Sequence, residues 1–356
     1  MRRVLIIKLW ALGDILMATP LLPALCHSDP EMQVTWIVDA AHAGILTGHQ
    51  EIDEVIALDT RAWRQKLRNG NLFGWLSYGA GLHRQLQQRH FDAVINCHPE
   101  KWWTRWLCAA PVRIGLYPSS ALPLSRLAYT QVIAKPILPS RHNTDHYLAA
   151  AEALGISEPF DRHLRYTVGP DAQEEASAFL RGDAGYDPKL PLIVLHAGTS
   201  QEPKSWLPEH FAALAVALSP RFNVVLTGSP KERALTEKIA ALLPPGMRPP
   251  LLAAGELTGT GPFAALIARA AAVVTGDTLA LHLASALKTP FVGIYGGSRP
   301  GDNRPLFGPQ ALLYDDTVPC APCYKKRCPL RGTDHLRCQR AVTPAQVLAA
   351  LARLLI

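Results

Sequence analysis

Val273-Val274-Thr275-Gly276-Asp277-Thr278-Leu279-Ala280-Leu281-His282 passes from a short β-branched run through a glycine and two polar residues into an apolar helical pattern. A buried strand turning sharply into a helix is the repeating unit of an open parallel α/β sheet, whose ligands lie beyond the carboxyl ends of the strands. Free backbone N–H groups at the helix start make an anion site there. Asp277 reads as a helix cap or a ligand contact. His282, one turn inside an apolar helix, reads first as a packed core residue.

The same alternation extends in both directions. Strands are expected over 192–195, 224–226 and 291–294, and helices over 210–218, 232–243, 263–270, 279–287 and 344–356. Nearer the amino terminus, strands over 4–7, 34–38, 54–58 and 93–96 alternate with helices from 15, over 81–89 and over 145–154. Between 111 and 139 the pattern weakens among prolines and basic residues. A chain of 356 residues exceeds one ordinary core. It divides here into two Rossmann-like domains, 1–170 and 171–356, the final helix being free to pack on either.

Two further loops follow strands. Leu12-Gly13-Asp14 ends the first strand, with a glycine that permits close backbone approach and a carboxylate that either caps the helix or acts as a general base. His196-Ala197-Gly198-Thr199-Ser200, with Lys204 and Trp206 close behind, supplies hydroxyls and an ammonium suited to a diphosphate.

Hydrophobic residues make up 48% and charged residues 18% of the chain, which excludes a disordered protein. The net charge of +7 favours an anionic partner. The basic residues are dispersed and two α/β domains need no nucleic acid, so a nucleic-acid module is disfavoured. No apolar run reaches the roughly 18 to 20 residues that span a bilayer. Lys8 and Asp14 interrupt the only stretch that imitates an export signal, so a cytoplasmic protein, peripheral at most to the inner membrane, is expected. Arg61, Trp63, Arg64, Lys66 and Arg68, and the run Lys101-Trp102-Trp103-Thr104-Arg105-Trp106, suit either an interface with membrane or phosphorylated acceptor, or helix packing by the tryptophans.

Cys320-x2-Cys323-x4-Cys328-x9-Cys338 offers four soft ligands to one tetrahedral ion. Zinc and mononuclear iron fit equally, a four-iron cluster less well, and four reduced thiols are the bland alternative. The closed shell makes the metal structural. Cys26, Cys97 and Cys108 are scattered and read as small apolar residues.

Gly13-Asp14, the Gly198-Thr199-Ser200…Lys204-x-Trp206 segment and Gly276-Asp277-Thr278-x-x-x-His282 together resemble glycosyltransferase family 9, the ADP-heptose:lipopolysaccharide heptosyltransferases, in particular the heptosyltransferase II-like branch. Phe91-Asp92-Ala93-Val94-Ile95 and Arg113-Ile114-Gly115 support it, and the resemblance runs through most of the chain. The cysteine-rich tail is similar to that of the autotransporter-heptosyltransferase branch. The resemblance implies a GT-B fold of two Rossmann-like domains facing a cleft, with the acceptor on the first and the nucleotide sugar, ADP-heptose, on the second. It implies single-displacement inversion without a catalytic metal. Asp14 becomes the base. Gly13, Thr199, Ser200, Lys204, Asp277, Thr278, Leu279 and His282 become donor contacts, and Arg61, Arg64 and Arg113 acceptor contacts. The acceptor is a lipopolysaccharide inner core or a related anionic glycolipid, with protein hydroxyls as the alternative. A nucleotide-sugar epimerase or binding protein on the same fold is the other reading. Leu279 stands where the family has glycine, and Gly296-Gly297-Ser298-Arg299-Pro300 replaces its Gly-Pro-Thr segment.

Overall fold

Two parallel six-stranded sheets, one in each half of the chain, carry the architecture in the computed structural model, which describes residues 2–117, 128–134, 142–157, 159–257, 259–301 and 303–356, with Trp102 and Tyr117 by their backbones alone. The chain separates into Met1–Thr167 and Val168–Ile356.

The first unit contains β1 (Arg3–Ile7), α1 (Leu12–Ala18), α2 (Leu21–Ser28), β2 (Gln33–Asp39), β3 (Glu54–Leu58), α3 (Thr60–Arg68), α4 (Leu72–Gln87), β4 (Ala93–Asn96), β5 (Val112–Tyr117), β6 (Gln131–Ala134) and α5 (Asn143–Ala153). Its strand order is β3-β2-β1-β4-β5-β6. Val4, Leu5, Ile6 and Ile7 are fully buried at its centre, as apolar side chains must be in a strand covered on both faces. Trp63 of α3 and Trp75 of α4 stack with ring centroids 5.7 Å apart and meet Trp103 in the same core. Trp103 is thus a packing residue, the structural side of the two readings open to the tryptophan-rich run.

The second unit contains α6 (Pro170–Gly182), β7 (Leu192–His196), α7 (Pro208–Leu218), β8 (Asn223–Thr227), α8 (Arg233–Ala241), β9 (Leu251–Leu252), α9 (Thr260–Arg269), β10 (Ala272–Gly276), α10 (Leu279–Ala286), β11 (Phe291–Ile294), β12 (Gln310–Leu313), α11 (Arg337–Arg340) and α12 (Pro344–Leu354). The order is β12-β11-β10-β7-β8-β9. The closing helix α12 packs within this unit, its Val347, Ala350 and Leu351 joining the core beside α7 and β11. Those three residues recur at helical spacing and make one apolar face.

The stretch 111–139, where the pattern weakens in sequence, lies partly outside the described residues. Its described parts form β5 and the edge strand β6. Among the described residues no helix is long and apolar enough to cross a membrane.

Candidate active site

In each sheet the strand order reverses once between two central neighbours, β1 and β4 in the first and β10 and β7 in the second. At such a switch point the connections leave in opposite directions, and a crevice opens beyond the carboxyl ends of the strands. The polar residues singled out in sequence stand at these two places.

In the first unit the loops after β1 and β4 border a cavity of about 310 Å³, lined among others by Lys8, Trp10, Asp14, His98, Glu100 and Tyr147. Asp14 sits in the first turn of α1 and does not cap it. The cap position is Ala11, which has no side chain to offer, and the helix begins at Leu12 rather than at Ile15. The Asp14 carboxylate is 39% exposed and lies 3.7 Å from the Nζ of Lys8, whose side chain is buried. A buried ammonium needs partners. Lys8 donates to the carbonyl of Trp10 at 2.7 Å and lies over the ring of Tyr147, 5.6 Å from its centroid. His98 accepts the Leu9 N–H at its Nε2 (3.1 Å), which leaves the proton on Nδ1, facing Glu100 at 3.6 Å. Burial lowers its pKa below the usual histidine value, against the pull of Glu100. Lys8, His98 and Glu100 carried no signal in sequence. Lys8 follows β1 directly on the way to Asp14, and His98 and Glu100 arrive with β4, which pairs with β1.

In the second unit the Lys204 Nζ donates to Asp277 Oδ2 at 2.6 Å, and the Ser298 hydroxyl donates to the same oxygen at 2.8 Å. Asp277 is buried and, like Asp14, is not the helix cap. Thr278 is, accepting the Ala280 N–H at 3.2 Å, while its hydroxyl bonds that of Thr275 at 2.9 Å. Thr278 and Leu279 open α10, where backbone N–H groups and the helix dipole favour an anion. Glycine is required at two places here. A Cβ on Gly276 would strike the Lys204 carbonyl, and one on Gly297 would strike Pro203. Thr199 folds its hydroxyl onto the backbone of Gln201, and Ser200 is exposed beside it. His282 is buried in α10, consistent with packing.

His196 ends β7 with its Nδ1 3.0 Å from the Thr227 hydroxyl and its ring 5.1 Å from that of Phe263. Burial lowers its pKa to about 4, the charge of Glu232 opposing. The unfolded chain therefore binds a proton that the folded chain refuses between about pH 6.5 and about pH 4. Stability from this group is complete above that window and declines as pH falls through it, by up to about 3 kcal/mol. Urea unfolding over the window should show a shallower acid loss for His196→Gln than for the parent; equal slopes would remove the assignment.

The cysteine segment lies against the Lys204 turn. Glu202 donates its backbone N–H to Lys326 (3.0 Å), accepts the Cys328 N–H on its carboxylate (2.7 Å) and pairs with His335 at 3.3 Å. Tyr324 donates to the Gly297 carbonyl, and Gln339 to that of Pro203. Burial, then the neighbouring Cys320 and Cys323, push the Cys338 thiol up to about 11. The four thiols thus share one neighbourhood, although among the described residues no three metal-ligating side chains are gathered into a metal-holding group. The closed tetrahedral shell expected from the spacing is thus not assembled among the described residues.

Of the acceptor candidates, Arg61 and Arg64 are exposed on α3. Arg113 is not: its guanidinium donates to the carbonyls of Ala128 (2.8 Å) and Ala110 (2.9 Å), tying β5 to its flanks. Cys97 lines the first cavity as a thiol that burial pushes up to about 12, while Cys108 is buried and Cys26 half-buried.

Two parallel α/β units, each with charged residues gathered at its switch point, define a protein of the nucleotide-binding, two-domain class. The model of glycosyltransferase family 9 (heptosyltransferase) matches residues 80–333, and the chain belongs to that family. It is 30% identical over 348 residues to lipopolysaccharide heptosyltransferase 1 of Pseudomonas aeruginosa, covering 94% of this chain and 90% of the relative. The structure of Escherichia coli ADP-heptose lps heptosyltransferase II superposes with a TM-score of 0.76 at 22% identity, covering 100% of this chain and 98% of that one. A more distant likeness of fold, TM-score 0.54 at 14% identity over 99% and 76% of the two chains, is to the iron-containing dodecameric glycosyltransferase TibC from enterotoxigenic E. coli H10407. The chain is a glycosyltransferase of the GT-B kind.

Proposed function

We propose that this enzyme transfers heptose from ADP-heptose to the inner core of lipopolysaccharide by a single inverting displacement. The observation that carries the reading is the pair of switch-point sites, a solvent-open carboxylate at Asp14 in one unit and the Lys204–Asp277 pair at a helix start in the other. The name of the Pseudomonas relative supports the donor and acceptor class. An acceptor hydroxyl gives its proton to Asp14 as its oxygen attacks the anomeric carbon. The bond from that carbon to the diphosphate breaks, and ADP leaves with the electron pair. Lys204, Thr199, Ser200 and the α10 start offset the charge that develops on the diphosphate, so no catalytic metal is required. Asp277, Thr278 and Leu279 hold the sugar-phosphate end, Gly13 lets backbone approach, and Arg61 and Arg64 meet acidic groups of the acceptor. The enzyme works in the cytoplasm, at the inner membrane that presents such an acceptor.

Calorimetric titration with ADP, GDP and UDP, followed by a transfer assay, tests this. Selective ADP binding, and ADP release from ADP-heptose only when a lipopolysaccharide core is present, is the expected result. Preference for UDP or GDP would replace the donor. Release that needs a protein acceptor would replace the acceptor, and conversion of the donor alone would favour an epimerase.

The cysteine segment is assigned a structural ion. Four soft donors in one neighbourhood, with a thiol whose pKa is raised by burial and by the others, are what a divalent cation would convert to thiolates, since its charge inverts that electrostatic penalty. Elemental analysis of the purified protein should find about one zinc or iron per chain. Cys323→Ser combined with Cys328→Ser should lose it, and a metal-free parent would end the assignment.

A further inference from the structure

The 32 residues 60–91 contain no aspartate or glutamate, although the chain carries 29 acids, and they contain six arginines and lysines. Four of those six, Arg61, Arg64, Lys66 and Arg68, lie on α3, and none of the four has an ion-pair partner among the described residues. Arg61, Arg64 and Arg68 recur at helical spacing and share one face. The turn that follows, with Gly70 at φ +74° and Asn71 capping α4 through the Gly74 N–H, presents apolar side chains outward. Phe73 is 84% and Leu72 55% exposed, and Leu67, Leu76 and Tyr78 join them. Five of the eleven large hydrophobic residues exposed among the described residues thus fall within twelve positions.

These side chains are not misplaced core. The inward face of the hairpin is already filled by Trp63, Trp75 and Leu86, and the Trp63 indole N–H is bonded to the Trp75 carbonyl at 3.1 Å. A tip so anchored cannot turn its leucines and phenylalanine inward without displacing that tryptophan pair. Apolar residues at a tip, flanked by uncompensated cations and with the acid Asp59 only at the far end of α3, match a bilayer of anionic phospholipid, where the rings and leucines enter the acyl boundary and the cations meet headgroup phosphates.

We infer that the α3–α4 hairpin docks this enzyme on anionic membrane, Phe73 and Leu72 inserting and Lys66 and Arg68 of α3 holding the headgroups. The inference deepens the proposed function and rests on it for the biological purpose, namely bringing the enzyme to a lipid-anchored acceptor. The binding itself rests on the hairpin alone.

Co-sedimentation of the full chain with phosphatidylglycerol-containing vesicles tests it, with pure phosphatidylcholine vesicles as the comparison and ADP calorimetry on each sample. The parent should sediment with the anionic vesicles, stay in solution with the neutral ones, and be released by salt. Leu72→Ser with Phe73→Ser should lower partitioning about tenfold, ADP affinity being unchanged. Lys66→Glu with Arg68→Glu, which leaves the tip intact, should lower it similarly. A parent that stays in solution with anionic vesicles, equal binding to neutral ones, or variants that bind like the parent would each overturn the inference. Loss of ADP binding by the parent would instead strike the proposed function and leave the docking result standing.

Discussion

Asp14→Ala should lower turnover by about two to four orders of magnitude while leaving ADP affinity within about twofold of the parent. The carboxylate stands in the first turn of α1, caps nothing, and faces a cavity rather than the core. Its one ion-pair contact among the described residues is Lys8, which keeps the Trp10 carbonyl and the Tyr147 ring when the carboxylate is removed. The fold should therefore lose only the small benefit of an acid at a helix start, about 0.3–1 kcal/mol. A large loss of rate against a small loss of stability is the signature of a group that acts on the reacting proton. Steady-state transfer beside a thermal melt measures both. Turnover close to the parent would reduce Asp14 to a helix-start charge.

Lys204→Met should weaken ADP binding by about 10- to 100-fold, the scale of about 1.5–3 kcal/mol for a hydrogen bond to a charged group, and should weaken AMP binding much less. Lys204 is tied by its ammonium to Asp277 and by its backbone to Gln201, and it has no room to retreat, because Gly276 closes on its carbonyl. The substitution also leaves the buried Asp277 carboxylate with Ser298 alone. The melting temperature should therefore fall, and affinities must be compared where both proteins are folded. Equal ADP and AMP losses would mean that a disturbed Asp277, rather than a missing phosphate contact, causes the effect. Unchanged ADP affinity would remove Lys204 from the diphosphate site.

Much of this was readable from residue order alone. Strands such as Glu54–Leu58, Ala93–Asn96 and Phe291–Ile294 are compact apolar runs bounded by polar or turn residues, so sequence and structure agree on their ends. The outer strands β5 and β6, of which β6 is the edge, were not, since Arg113 and Gly115 interrupt β5 and its flanks are rich in proline. Asp14, Lys204 and Asp277 were found because they follow central strands. What they touch was not, since sheet registry decides it: Lys204 meets a residue 73 positions away, and Ser298 arrives at the same oxygen from the loop after β11. Arg113 departs from expectation because an arginine within a strand looks the same in sequence whether its fork faces solvent or backbone carbonyls. The capping roles of both aspartates failed similarly, Thr278 and Ala11 holding those positions.

Glu202 gives the carboxyl-terminal segment a standing that its composition hides. Its carboxylate and backbone clasp Lys326, Cys328 and His335, more than a hundred residues away, two positions before the lysine that faces Asp277. A cysteine-rich stretch near a chain end invites trimming for expression or crystallisation. Here, excising residues 318–340 while keeping α12 would strip the Lys204 turn of its outer wall and, with Gln339, of a donor to the Pro203 carbonyl. A shortened enzyme that stays folded should be slack at the nucleotide end rather than merely smaller.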